Sequence, residues 1–200
     1  MTTFDRRSFL RGAGAVGGIA LANLPPWPAA LAALPPLPAT PGFVTMSAAF
    51  LGVAENEINP SVTPDRYSQA DMINTTAVQG FTLAGVISLV IAYNGLVTSM
   101  PPAAAAQTLV TSGGANGCMS RIIYLMYLFG VWYGGTEISR NAGSAAFIPA
   151  TLQQDLIVSS RAYKEGWIWR MAQAHPMGYS QFNFGSWGDT PPPLADYGMV

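Results

Sequence analysis

One cysteine, one histidine and a charged fraction of 10% are what this 200-residue sequence offers for chemistry. Each scarcity excludes something. A lone Cys118 cannot close an internal disulfide or build a thiolate metal cage. Its apolar neighbours predict a small buried side chain, with an intermolecular disulfide as the alternative. His175 is the only imidazole, so a metal centre would have to come from carboxylates, and those are dispersed. No Cys-x-x-Cys-His, no cysteine set for an iron–sulfur cluster and no Gly-x-Gly-x-x-Gly after a strand is present. No cofactor is therefore expected in this chain. The nine basic residues form no stripe, which argues against nucleic acid.

Charge is the most informative shortage. An ordinary soluble domain is about 25% charged, whereas half of this chain is hydrophobic. So little charge leaves a surface that is poorly solvated by itself. It points to a large buried interface or to a place beside a membrane. The length allows one domain plus terminal extensions.

The N-terminus reads as an address. Arg6-Arg7, followed by Phe9-Leu10 and a weakly apolar run rich in Gly and Ala, has the pattern of a twin-arginine (Tat) export signal. Asp5 stands where Ser or Thr is usual, and Arg11 replaces the common Lys. Two small-x-small sites follow, Ala20-Leu21-Ala22 and Ala30-Leu31-Ala32, the second of which fits better before a Pro-rich leader. The expected organisation is a signal over 1–33, a leader over 34–42, a helical domain over 43–174 and an extended tail over 175–200. Without the signal, six basic and nine acidic residues remain of the nine and ten, which argues against anionic lipid as a partner. The Tat route carries folded proteins. A Tat signal on a chain without a cofactor motif suggests cargo bound to the chain, not within it.

Hydrophobic periodicity predicts a compact all-α domain. Phe43, Met46, Phe50 and Val53 share one helical face. Thr63 before Pro64 reads as the cap of a second helix reaching about Gln79. Residues 81–97 are apolar almost throughout and read as a buried core helix, with a membrane span as the alternative, ended by Pro101-Pro102. A short helix is expected from 103, and a second strongly apolar helix over 118–133 should be central. Gly134-Gly135 should stop it, with a loop over 136–151. Residues 152–158 fit no single pattern. A last helix is expected from 159 or 160 to 173.

The tail carries Tyr179, Phe182, Phe184 and Trp187 within nine residues, with Gly185 among them. A solvated tail is poor in aromatics, so these rings need a surface, either a partner's or the chain's own domain. Trp167, His175 and Pro176 lead into this segment and complete the candidate partner-binding set.

In order along the chain, four features resemble the small subunit of membrane-bound, FAD-dependent sugar and polyol dehydrogenases, the sorbitol, fructose, gluconate and glucose dehydrogenase complexes. They are the Arg6-Arg7 signal, Phe43-Val44-Thr45-Met46-Ser47 with Phe50-Leu51-Gly52, the helix carrying Tyr127, Gly130 and Trp132, and the ending from Tyr163 to Trp169 through Pro176 and Gly178 to Phe184-Gly185-Ser186-Trp187. Leu51 stands where the family commonly has Thr and Met126 where it often has Trp, and the tail lacks the family's cysteine. The resemblance implies a non-catalytic subunit. It would escort a large FAD-containing subunit through the Tat translocase and stabilise it. A multihaem cytochrome c would complete the complex at the periplasmic face of the inner membrane. Two other readings are a small membrane-anchored periplasmic protein and a stand-alone periplasmic enzyme using His175 with Asp189 or Glu165.

Overall fold

A computed structural model describes residues 37–60 and 68–172. The expected signal (Arg6, Arg7, Phe9, Leu10), the Thr63-Pro64 cap and the tail residues His175, Pro176, Tyr179, Phe182, Phe184, Gly185 and Trp187 lie outside the described residues.

The described part is helical. It begins with α1 (Pro41–Leu51), which starts where Thr40 accepts the Phe43 N–H and Pro41 supplies a preset φ at the first turn. Gly52, in the left-handed region, ends it. A single turn, α2 (Glu55–Ile58), follows. Ser68 caps α3 (Gln69–Phe81), with Asp71 in its first turn. Then come α4 (Leu83–Val97), α5 (Pro102–Thr111) and the long α6 (Gly114–Phe129). Cys118, Ile122, Ile123, Met126 and Tyr127 on α6 are fully buried, so the other helices pack around it as the sequence pattern predicts.

A short ribbon closes one end. The chain leaves α6 through Gly130, whose φ is +65°. A Cβ there would lie 2.2 Å from the Ala162 carbonyl carbon, so glycine is required by conformation and by space. Next, β1 (Val131–Tyr133) pairs antiparallel with β2 (Asp155–Ile157), Trp132 facing Leu156 in the register. Sequence patterning carries the helix through to Tyr133; the break at Gly130 corrects that. The stretch expected as a loop contains α7 (Gly134–Arg140) and two 3-10 turns, Ala142–Ala146 and Ala150–Leu152. Thr136 starts α7 against the ribbon by donating its N–H and hydroxyl to the two Asp155 carboxylate oxygens, at 2.9 and 2.6 Å. The expected last helix is two, α8 (Ser160–Lys164) and α9 (Trp167–Ala172), separated at Gly166, where a Cβ would meet the Leu128 carbonyl oxygen at 2.6 Å.

The largest departure concerns 81–97. Phe81 belongs to α3, and the chain turns by 114° between α3 and α4. The turn sits on Thr82, at φ 68° and ψ 156°, a conformation L side chains rarely adopt. Its N–H closes α3 on Val78, and its hydroxyl oxygen accepts the Gly85 N–H to cap α4. One residue ends a helix and starts another at the cost of backbone strain, on the order of 1–3 kcal/mol. Glycine removes that strain and sacrifices only a few tenths of a kcal/mol of capping, though it adds unfolded-state entropy. Thr82→Gly is therefore expected to raise the melting temperature by roughly 2–4 °C. A lower melting temperature in a thermal scan would show that the hydroxyl cap outweighs the strain.

Candidate partner interface

Between Asp71 and Arg121 the sequence holds no Asp, Glu, Lys, Arg or His. That interval spans most of α3, all of α4 and α5, and the first turns of α6. On α4 only Val86, Leu89 and Tyr93 are buried, which corrects the expectation of a core helix. Leu83, Ile87 and Ile91 stand 57%, 46% and 65% exposed. Their i, i+4, i+8 spacing puts them on one side of the helix. Ala84, Ser88 and Gly95 are exposed alongside. On α5, which packs against α4, the exposed residues are Pro102, Ala103, Ala104, Gln107, Thr108 and Thr111. The two packed helices thus present an uncharged flank, with branched aliphatic side chains exposed on α4 and mostly small ones on α5.

Such a flank is cheap to desolvate. No ion has to leave water, and the threonines satisfy themselves: Thr108 and Thr111 donate to the Ala104 and Gln107 carbonyls at 2.8 and 2.9 Å. Fully burying a Leu or Ile is worth about 1.5–3 kcal/mol, so covering the open half of each is worth about 1 kcal/mol. Charge depletion with aliphatic anchors is the composition of an interface centre. Among the described residues no single helix is long and apolar enough to cross a membrane. Together α3 and α4 are, by length and composition alone, with a 114° bend between them.

Among the described residues, two pairs of charged side chains bind each other. Glu137, buried on α7, takes both Arg121 Nε (3.1 and 3.0 Å) and Nη2, and also the Ser144 hydroxyl at 2.8 Å. Arg121 Nη1 donates to the Val110 and Ser112 carbonyls at 3.0 and 2.8 Å. Glu165 accepts from Arg161 Nε at 2.9 Å on the surface. No group of three or more His, Cys, Asp or Glu side chains among the described residues could hold a metal ion.

Cys118 is buried on α6, and burial pushes its thiol up to about 11. At pH 8 the thiolate fraction is then about 100-fold below that of an unfolded thiol. Iodoacetamide is expected to label Cys118 about two orders of magnitude faster in 6 M guanidinium than in the native chain, read by mass spectrometry. Equal rates would place the thiol at the surface. Because the folded-state value is raised, the thiol's contribution to stability is full below about pH 9 and is lost as pH climbs towards 11.

Of the partner-binding set, Trp167 is the one described residue, and it is buried. Its Nε1 donates to Gln69 Oε1 at 2.9 Å, and the Arg170 guanidinium lies 4.9 Å above its ring. It ties α9 to the start of α3 and contributes to the domain's own packing. Trp169 on the same helix is partly exposed, edge-on to Tyr163 at 5.5 Å and donating to the Tyr163 carbonyl. Sequence reasoning overlooked Leu83, Ile87 and Ile91. A signal was available in the missing charges, but a helix apolar on every side reads as core. No family model, curated protein or solved structure matches the chain.

Proposed function

We propose that this chain is the non-catalytic small subunit of a membrane-associated, FAD-dependent sugar or polyol dehydrogenase complex. In this reading it escorts the flavin-loaded large subunit through the Tat translocase and stabilises it at the periplasmic face of the inner membrane. A cytochrome c partner then takes the electrons. The observation that carries the reading is the uncharged α4–α5 flank on a chain that begins with Arg6-Arg7. An export-type N-terminus and a surface in need of a cover occur in one small chain, and Arg121 and Glu137 at the border of that surface are paired with each other. The flavoprotein supplies the redox chemistry; this chain supplies a shaped apolar surface, whose burial stabilises the pair without desolvating charge.

The test is Arg6→Lys with Arg7→Lys in cells that express the whole complex. Flavoprotein activity in the periplasm is expected to fall at least tenfold while cytoplasmic flavoprotein persists. Normal periplasmic activity would end the escort reading. Ile91→Lys, which puts a charge on the flank, is expected to weaken co-purification of the large subunit at least tenfold with the melting temperature unchanged, since Ile91 is the most exposed aliphatic on α4.

A further inference from the structure

The outer side of α4 is sorted by size. Val86, Leu89 and Tyr93 are buried on the opposite side, and Val90 packs beneath Gly42 of α1, where a Cβ would come within 2.8 Å of its Cγ1. The exposed residues of the helix fall within one arc of about 140°, at about 100° per residue. On one half of that arc stand Leu83, Ile87 and Ile91, with Asn94 continuing the row at the C-terminal end. On the other half stand Ala84, Ser88 and Gly95. A large residue is followed by a small one at 83–84, 87–88 and 91–92. A ridge of branched aliphatics therefore runs beside a groove with the same four-residue period.

We propose that the isolated chain pairs with a second copy of itself through this side of α4. A ridge beside a groove of equal period is its own complement. Rotation about a two-fold axis sets the ridge of each copy in the groove of the other. An unrelated protein has to bring a matching ridge and groove; a second copy has them by symmetry. Charge agrees with that occupant. Near a two-fold axis each side chain meets its own copy, so an ionised group there is repelled by itself. The interval between Asp71 and Arg121 holds no such group.

Area sets the strength of the contact. The 15 residues of α4 are about 22 Å long at 1.5 Å each. One helix crossing of that length buries less than the ~1,200 Å² in total that divides stable pairs from transient ones. The pairing is therefore reversible, with a dissociation constant of about 1–100 μM. A partner that covers α4 over a larger area displaces the second copy. The pairing concerns the chain by itself and does not rest on which partner that is.

Sedimentation equilibrium of the purified chain between about 1 and 300 μM tests it. The mass is expected to rise from one copy to two. Ile87→Lys, which charges the ridge, and Ser88→Leu, which fills the groove, are each expected to weaken the pairing at least tenfold. Both side chains are exposed, so the melting temperature should stay unchanged. Ser88 stands in the middle turn of the exposed face and meets its own copy whichever way the helices run. Ser88→Cys is therefore expected to form an intermolecular disulfide under mild oxidation at least tenfold faster than Arg140→Cys, an exposed site on α7. Cys118 is buried and takes no part. A single copy at every concentration would overturn the proposal: flotation with phosphatidylcholine vesicles then gives the face to lipid, and no flotation leaves it to another polypeptide. A dimer that both substitutions leave intact would overturn it too, as would equal disulfide rates at the two sites.

Discussion

Trp132→Ala is expected to cost the domain about 3–5 kcal/mol from the cavity alone, with a further 1–3 kcal/mol from a buried carbonyl left without its donor. Trp132 is fully buried in β1 and heads the fully buried side chains by volume. Its Nε1 donates to the Leu152 carbonyl at 2.8 Å, its ring sits 5.0 Å from that of Phe81, and Gly80 lies under it so closely that a Cβ would come within 2.1 Å of Cη2. One side chain thus joins the end of α3, the ribbon and the 3-10 turn before β2. Because α3 and α4 meet just beyond Phe81, the indole also sets where α4 begins. Against a total stability of about 5–15 kcal/mol, the substitution should lower the melting temperature by roughly 10 °C or more. Gly80→Val, which drives a branched side chain into the same ring, should approach that loss from the opposite direction. Trp132→Phe keeps most of the volume and should cost about half as much. A drop below ~3 °C for the alanine variant would mean that the ribbon end is loosely packed and that α4 is positioned by something else.

The sequence announced those parts of this fold that local rules control. Helical spacing from Phe43 onward, the short helix expected from 103 and the dense apolar set around Ile122 and Met126 correspond to α1, α5 and the central α6, although α5 already begins at Pro102, where the sequence pattern ends the preceding helix. The misreadings fall where a single backbone conformation decides. Thr82 is neither Gly nor Pro, so nothing in its type warns of a positive φ between two apolar stretches. Gly130 ends α6 three residues before the apolar pattern does, because only there can the chain pass the Ala162 backbone. The ribbon strands are three residues each, too short for alternation to show. The candidate surface was half legible. The charge gap between Asp71 and Arg121 is visible in the sequence, but which side of α4 it leaves open depends on how α1, α3 and α6 pack against Val86, Leu89 and Tyr93. Trp167 shows the converse. An aromatic near a tail suggests an anchor for a partner, yet its indole N–H is taken by Gln69 inside the domain.

Glu137→Ala is expected to have the second large effect. Arg121 is an ion enclosed by the end of α5, by α6 and by α7, with 22% of its side chain exposed against 3% for Glu137. The carboxylate binds it through Nε and Nη2, and Nη1 satisfies the Val110 and Ser112 carbonyls that α5 leaves without intrahelical donors. Removing Glu137 leaves a cation in a site shaped for a pair and deprives the Ser144 hydroxyl of its acceptor, a loss of about 3–5 kcal/mol. Arg121→Met combined with Glu137→Leu should recover all but about 1–2 kcal/mol, the remainder reflecting the uncapped carbonyls of α5. A double-mutant cycle in urea reads the coupling as non-additivity of the midpoints. Salt separates this arrangement from a surface pair, because 1 M NaCl should leave the Glu137→Ala difference nearly unchanged while screening the exposed Arg161–Glu165 pair. If Glu137→Ala costs less than ~1 kcal/mol, the clamp is not what holds α5 in place. If the full cost is seen, the α5 half of the uncharged flank owes its position to the two charges that stand at its border.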